Sequence, residues 1–93
     1  MPYRLMYSQT SRDQIKSLHP HIKPIVKASI QKLKENPFQG KALEKELSGY
    51  YSVRTKRFRI IYDINNRKHT VQIHYVGHRK DIYELFKEFL ANE

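Results

Sequence analysis

The residues able to do chemistry crowd into one third of this chain. Residues 50–80 hold Arg54, Lys56, Arg57, Arg59, Arg67, Lys68, Arg79 and Lys80 against a single acid, Asp63. Guanidinium groups present planar, paired donors that match phosphate oxygens, so a cluster of them is a ready cradle for a phosphodiester. Fixed cations aimed at a phosphoryl group also neutralise the charge that develops when its ester bond breaks. Two further residue types complete a usable set. His78 stands just before Arg79 and Lys80, and imidazole is the side chain whose ordinary titration falls nearest neutral pH, as proton transfer requires. Tyr83 offers a hydroxyl, and a ring face on which a base can stack.

Strand alternation decides which of these groups meet. Residues 50–55, 58–64 and 69–77 read as three strands, joined by a tight turn at Lys56-Arg57 and a hairpin turn at Asn65-Asn66. Side chains alternate faces along a strand. Tyr51 and Val53, then Phe58, Ile60, Tyr62 and Ile64, then Val71, Ile73 and Tyr75 fall on one face and form a coherent core. The other face carries Ser52, Arg54, Arg57, Arg59, Gln72, His74 and His78, with Ile61 and Val76 as an apolar floor. Like charges opposite one another on neighbouring strands destabilise a sheet. Arg54, Arg59 and His78, with Arg79 just beyond, therefore point to a polyanion-binding face.

The remaining elements must support that sheet. A first strand over 3–7 puts Tyr3, Leu5 and Tyr7 on one side. Ser8 or Thr10 caps a helix reaching about residue 19, with Ile15 and Leu18 inward. Ile22, Ile25, Val26, Ile30 and Leu33 make the stripe of a second helix, with Pro24 in its first turn and Asn36-Pro37 as its stop. Residues 37–49 read as a polar loop. Ile82, Leu85, Phe86, Phe89 and Leu90 mark the last helix, whose positive N-terminal end falls beside Arg79. The order β-α-α-β-β-β-α predicts an α+β fold: a small, mostly antiparallel sheet with helices packed on one face, in a single domain spanning 1–93.

Composition narrows the function classes. The chain of 93 residues has 18 Lys and Arg against 9 Asp and Glu, a net charge of +9 that suits a polyanionic partner. An aromatic content of 12% sets disorder aside. With no cysteine, disulfides, thiolate metal sites and a cysteine nucleophile are excluded. There is no glycine-rich phosphate loop and no Gly-x-Ser-x-Gly elbow. The histidines lack metal-site spacing: His19 and His21 flank Pro20, and His69, His74 and His78 have no carboxylate companion, Asp63 being free to pair with an arginine. No metal or cofactor is expected. Apolar runs stop at two or three residues, as in Ile60-Ile61-Tyr62, so neither a membrane-spanning helix nor a secretory signal is expected, and the cytoplasm is the expected location.

Three stretches carry a likeness to a known family. They are Leu47-Ser48-Gly49-Tyr50-Tyr51-Ser52-Val53-Arg54, then Phe58-Arg59-Ile60-Ile61-Tyr62-Asp63-Ile64, then Val76-Gly77-His78-Arg79-Lys80-Asp81-Ile82-Tyr83. Together with the element order, they resemble the RelE/ParE superfamily of bacterial and archaeal toxins. The likeness is specific in the C-terminal half and rests on helix placement in the N-terminal half. It implies the toxin of a type II toxin–antitoxin pair, held inactive by a RelB-like antitoxin whose acidic, amphipathic peptide wraps it. It further implies an mRNA interferase, an endoribonuclease acting on mRNA in the ribosomal A site. There the ribose 2′-OH attacks the adjacent phosphate without a metal, giving a cyclic phosphate and a free 5′-OH.

The same resemblance implies roles residue by residue. Arg54 stands where RelE-like members have a lysine that stabilises the transition-state phosphate. Arg59 matches a phosphate-binding arginine, Arg79 the arginine that protonates the leaving 5′-oxygen, and Tyr83 the tyrosine that stacks on the substrate base. Ser52 departs from the pattern, which has there a lysine considered a candidate general base. His78 is the replacement this chain offers, while Glu44 and Glu46 precede the strand near where other relatives carry a catalytic glutamate. Lys56, Arg57, His74 and Lys80 are then expected to hold RNA and ribosome. Two other functions stay open: a ParE-like inhibitor of DNA gyrase without nuclease activity, and a non-catalytic RNA-binding protein.

Overall fold

The structure, a computed structural model, describes residues 2–93. Its first strand, β1 (Arg4–Tyr7), turns Leu5 and Tyr7 toward the core. Ser8 caps α1 (Gln9–Lys16), its hydroxyl accepting from the Ser11 amide at 3.1 Å, and α1 buries Ile15. Pro24 sits in the first turn of α2 (Lys23–Lys32), where its missing N–H costs nothing. Asn36 and Pro37 end that helical stretch and open a single 3-10 turn, Pro37–Gln39. There follow β2 (Lys41–Ala42), a second 3-10 turn (Lys45–Leu47), β3 (Tyr51–Thr55), β4 (Phe58–Asn65), β5 (Thr70–His78) and α3 (Ile82–Ala91).

The strands lie in the order β1-β5-β4-β3-β2. Only β1 and β5 run parallel; the other pairs are antiparallel. α1 and α2 cover one face, where Ile15, Val26, Ile30 and Leu33 are buried against Ile60, Tyr62, Val71, Ile73 and Val76. The α+β class and the order of the main elements are those predicted. Three differences bear on the site.

The polar segment 37–49 is not all loop. Lys41 and Ala42 pair with Ser52 and Tyr51 as an edge strand. The buried Tyr62 hydroxyl, donating to the Pro37 carbonyl at 2.7 Å, anchors that segment. Gly40 lets it lie close, since a Cβ there would run into the Tyr62 hydroxyl and the Ser52 carbonyl.

The helices do not share one face. α3 lies on the side opposite α1 and α2, where Ile82 and Phe86 are buried with Leu47 and Ile61. Ile61, Tyr50 and Tyr75 make that side apolar at one end, and an apolar sheet surface must be covered.

A bulge interrupts β5. Ile61 pairs with Tyr75 and Tyr62 with Ile73, leaving His74 as the extra residue. His74 and Tyr75 therefore share a face, Tyr75 packs under α3, and Val76 moves into the core beneath α1 and α2. The N-terminal part of the chain holds the bulge in place. The Ser8 hydroxyl donates to the His74 carbonyl at 3.0 Å, the Ser11 hydroxyl to the Ile73 carbonyl at 3.0 Å, and the Val76 amide to Gln14 Oε1 at 2.7 Å. Backbone groups that the β4 ladder leaves free thus find partners. No helix among the described residues is long and apolar enough to cross a membrane.

Candidate active site

The tight turn at Lys56-Arg57 sets Thr55 opposite Phe58, and so Arg54 directly opposite Arg59. At this end of the sheet, Arg54, Arg57, Arg59, His78, Arg79, Lys80 and Tyr83 line one open groove of about 420 Å³. Lys56 stands on an adjoining cleft with Arg54, Arg57 and Arg79. The structure thus brings eight of the nine expected residues to one place. Among the described residues, no carboxylate lies within ion-pair distance of any of these cations. A cross-strand arginine pair with no acid between is a net repulsion, which an anion entering the groove removes.

Two of the groups are locked together. Ser52, only 1% exposed, accepts a hydrogen bond from Arg59 Nη1 at 3.2 Å, and its hydroxyl shares another with the Tyr83 hydroxyl at 3.1 Å. The Arg59 guanidinium carbon lies over the Tyr83 ring, 5.7 Å from its centroid, within cation–π reach. Reading by motif passes over Ser52, because a serine there is only a missing lysine. The hairpin register held the signal: with 55 opposite 58, positions 52 and 59 are diagonal neighbours on one face.

The open end of the groove is tied down by backbone. The Arg79 amide donates to the Arg57 carbonyl at 2.7 Å, joining the end of β5 to the β3–β4 turn. The His78 ring meets Phe58 edge to face at 5.8 Å, and its Nδ1 accepts the Lys80 amide at 3.4 Å, a long bond. Arg54 Nε donates to the Lys56 carbonyl at 3.3 Å. α3 starts here without a side-chain cap, so its first-turn amides add partial positive charge.

His74 is the expected residue that the structure places elsewhere. Its Nε2 lies 2.9 Å from Asp63 Oδ2, with Tyr50 and Phe86 packed around the ring. Asp63 is therefore the histidine's companion and not an arginine's. The place of His74 along β5 is the cause: the residue lies beneath α3, well short of His78 at the open end of the strand. Burial, seconded by the charges of Asp63 and Glu93, holds the Tyr50 phenol above its usual pKa. Ile61 and Val76 do not floor the groove: Ile61 is buried under α3 and Val76 in the main core. Glu44 and Glu46 line a separate cleft on the far side of Tyr83. Among the described residues no three His, Asp or Glu side chains gather as a metal ion would need.

Comparison with known proteins shows the family. A family model described as the ParE toxin of the type II toxin–antitoxin system, parDE, matches residues 5–83. Toxin RelG of Mycobacterium tuberculosis is 36% identical over 85 residues, which cover 89% of this chain and 98% of that protein. The solved toxin–antitoxin complex RelBE2 from the same organism contains a chain similar at a TM-score of 0.77 and 33% identity, over 85% of this chain and 100% of that one. A mutant of Escherichia coli toxin RelE in the free state gives a TM-score of 0.77 over 99% of this chain and 98% of that one; at 18% identity the likeness is one of fold.

Proposed function

Because this chain belongs to the RelE/ParE family of type II toxin–antitoxin toxins, we propose that it is a ribosome-dependent endoribonuclease, an mRNA interferase formed by a single domain over 1–93. The observation that carries this reading is the groove itself. Arginines, a histidine and a tyrosine converge there with no carboxylate in reach, which suits phosphodiester chemistry better than a flat protein contact.

The reaction asks for little else. Arg54 and Arg59, opposite each other, grip the phosphoryl oxygens and neutralise the charge that grows on them. The 2′-oxygen forms a bond to phosphorus as its proton passes to His78 Nδ1, displacing the weak Lys80 amide contact. The bond from phosphorus to the 5′-oxygen breaks, and Arg79 supplies the proton that the leaving oxygen takes. Tyr83 stacks on a base. Ser52, buried and bonded to both Arg59 and Tyr83, takes over the positioning of that pair and leaves proton abstraction to His78. Lys56, Arg57 and Lys80 hold RNA and ribosome around the groove.

The partner in this reading is a RelB-type antitoxin, as in the RelBE2 complex and the Escherichia coli RelBE complex. An acidic, amphipathic peptide complements a surface of net charge +9. The site of action is the cytoplasm, where mRNA meets ribosomes. A second reading, inhibition of DNA gyrase, has one observation in its favour: the matching family model is that of a ParE toxin.

Primer extension on mRNA in a reconstituted translation system separates the two. Wild-type protein is expected to give cuts in register with codons that require ribosomes. Arg59→Ala or Arg79→Ala is expected to lose at least about 10²-fold in cleavage, and growth inhibition with it, while the protein stays folded. Toxicity retained in both variants would overturn the site. No cuts, with translation intact, would move the assignment to gyrase, and supercoiling would then be measured.

A further inference from the structure

Strand β5 changes neighbours halfway along. Its first half lies between β4 and β1, but the β1 pairing ends at Tyr7 opposite Ile73. From His74 to His78, β4 is the only strand alongside. This is the stretch that delivers His78 and Arg79 to the groove. Side chains from the start of α1 stand in for the missing strand. Ser8 holds the His74 carbonyl, and Gln14 Oε1 accepts the Val76 amide at 2.7 Å, nearer the groove.

The register of that stretch is not the one an unbroken ladder gives. With the bulge, Gly77 stands opposite Arg59 and His78 opposite Phe58. Continued from the Tyr62–Ile73 pair without it, the ladder sets Val76 opposite Arg59 and Gly77 opposite Phe58. A slip of one residue carries each side chain to the other face. Directly opposed residues share a face, so the bulged register leaves the place beside Arg59 without a side chain, and the slipped one fills it with valine. His78 would also leave Phe58, against which its ring packs, and the Arg79 amide would lose the Arg57 carbonyl.

We propose that Gln14 is a positioning residue for the groove. By accepting the Val76 amide it keeps β5 in the bulged register, and so keeps His78 and Arg79 in place around the phosphate. Its effect on cleavage rests on the nuclease reading; its effect on register does not.

Gln14 acts from outside the groove, whose lining does not include it. A backbone amide off the ladder needs an acceptor, and Gln14 reaches across from α1 to supply one. Tyr75, packed against Phe86 and Phe89, holds the same stretch from the α3 side. Loss of the Gln14 bond therefore loosens the end of β5 and leaves the sheet folded.

Two measurements on the full chain test this. In the free protein, nuclear Overhauser contacts between β4 and β5 report the register, and wild-type protein is expected to show Arg59 beside Gly77. Gln14→Leu, close in size but without an acceptor, is expected to weaken that contact and to speed hydrogen exchange at the Val76 amide. Gln14→Glu, whose carboxylate accepts from the same amide, is expected to restore both. On ribosomes programmed with natural mRNA, Gln14→Leu is expected to lower the saturating single-turnover rate by at least about tenfold, as displaced reacting groups do. The half-saturating ribosome concentration stays within about twofold, and Gln14→Glu recovers the rate. Ile15→Val, which loosens the neighbouring core without touching the bond, lowers the melting temperature and leaves the rate unchanged. Where Gln14→Leu fails to fold, Gln14→Asn, the same amide one methylene short, is read in its place.

Wild-type contacts and a wild-type rate in Gln14→Leu would overturn the proposal. Equal losses in Gln14→Leu and Gln14→Glu would overturn it too, by placing the effect in packing and not in the accepted bond. So would a full rate once the Arg59–Gly77 contact is gone. The nuclease reading fails separately: wild-type protein that cuts no mRNA sinks it, while the Overhauser contacts still decide whether Gln14 sets the register.

Discussion

One face of the sheet holds the same kinds of side chain in two opposite states. Under α3, His74 has found Asp63 at 2.9 Å and is closed in by Tyr50 and Phe86. Farther along β4, Arg59 faces Arg54 of β3 across the hairpin and has a serine hydroxyl and a tyrosine ring beside it. Strand alternation assigns both groups to this face. What separates them is the counter-charge. His74 is satisfied from within and belongs to the structure, whereas the groove cations have neutral partners and, among the described residues, no carboxylate in ion-pair reach. A basic residue on a strand is a candidate for function only after its acid has been looked for.

Substitutions that part the two ends would break or sharpen that contrast. The largest effect is expected at the open end. His78→Ala should lower single-turnover cleavage on the ribosome by about 10²-fold or more, and Ser52→Ala by about tenfold, because it loosens Arg59 and Tyr83 without removing either. Small and equal losses would strip His78 of its role as base.

Next in size is an effect on stability alone, from Tyr62 in the closed core. Burial, raised further by Tyr51 and partly offset by a backbone hydrogen bond from Gly40, pushes its phenol up to about 12 from the usual 10. A raised pKa means that the folded state holds its proton where the unfolded state has lost it. The contribution is complete below pH 10 and disappears as pH rises through about 12, on the order of 2–3 kcal/mol. Urea midpoints between pH 9 and 12 should fall along that course in the wild type and less steeply in Tyr62→Phe, where the raised phenols of Tyr7 and Tyr50 still titrate and the bond to Pro37 is lost.

The smallest effect is expected from His74→Ala. A half-exposed pair with Asp63 contributes about 0.2–1 kcal/mol, so thermal scans should move down by about 1–8 °C while cleavage stays within about twofold. A His74→Ala variant that folds normally and fails to cut would join the two ends into one site.

Much of this was legible in the sequence. Alternation found Arg54 and Arg59 opposite each other, and the i, i+3, i+4 stripes found the helices. What escaped was set by single insertions and by distant partners. Parity counting assumes an unbroken ladder. One extra residue, His74, exchanged the faces of Tyr75 and Val76. Nothing local marks that bulge, because the groups that hold it, Ser8, Ser11 and Gln14, lie more than sixty residues away in the chain. β2 was invisible for a similar reason: two exposed residues become a strand only because Tyr62 pins the segment behind them. The side that α3 covers was equally a tertiary matter, decided by the apolar end of a face whose Ile61 read as the floor of a basic site.

β5 is the next-to-last element in the chain and yet lies inside the sheet, between β1 and β4. Arg4 must wait for Thr70 before it has a partner. At synthesis rates of about 5–20 residues per second, several seconds pass in which β1, α1 and α2 exist with no sheet to lie on, and closing so long a loop slows folding further. Every residue of the groove lies beyond residue 51. The growing chain therefore cannot assemble the groove until its final stretch has been made, and the topology acts as a timer on its own birth.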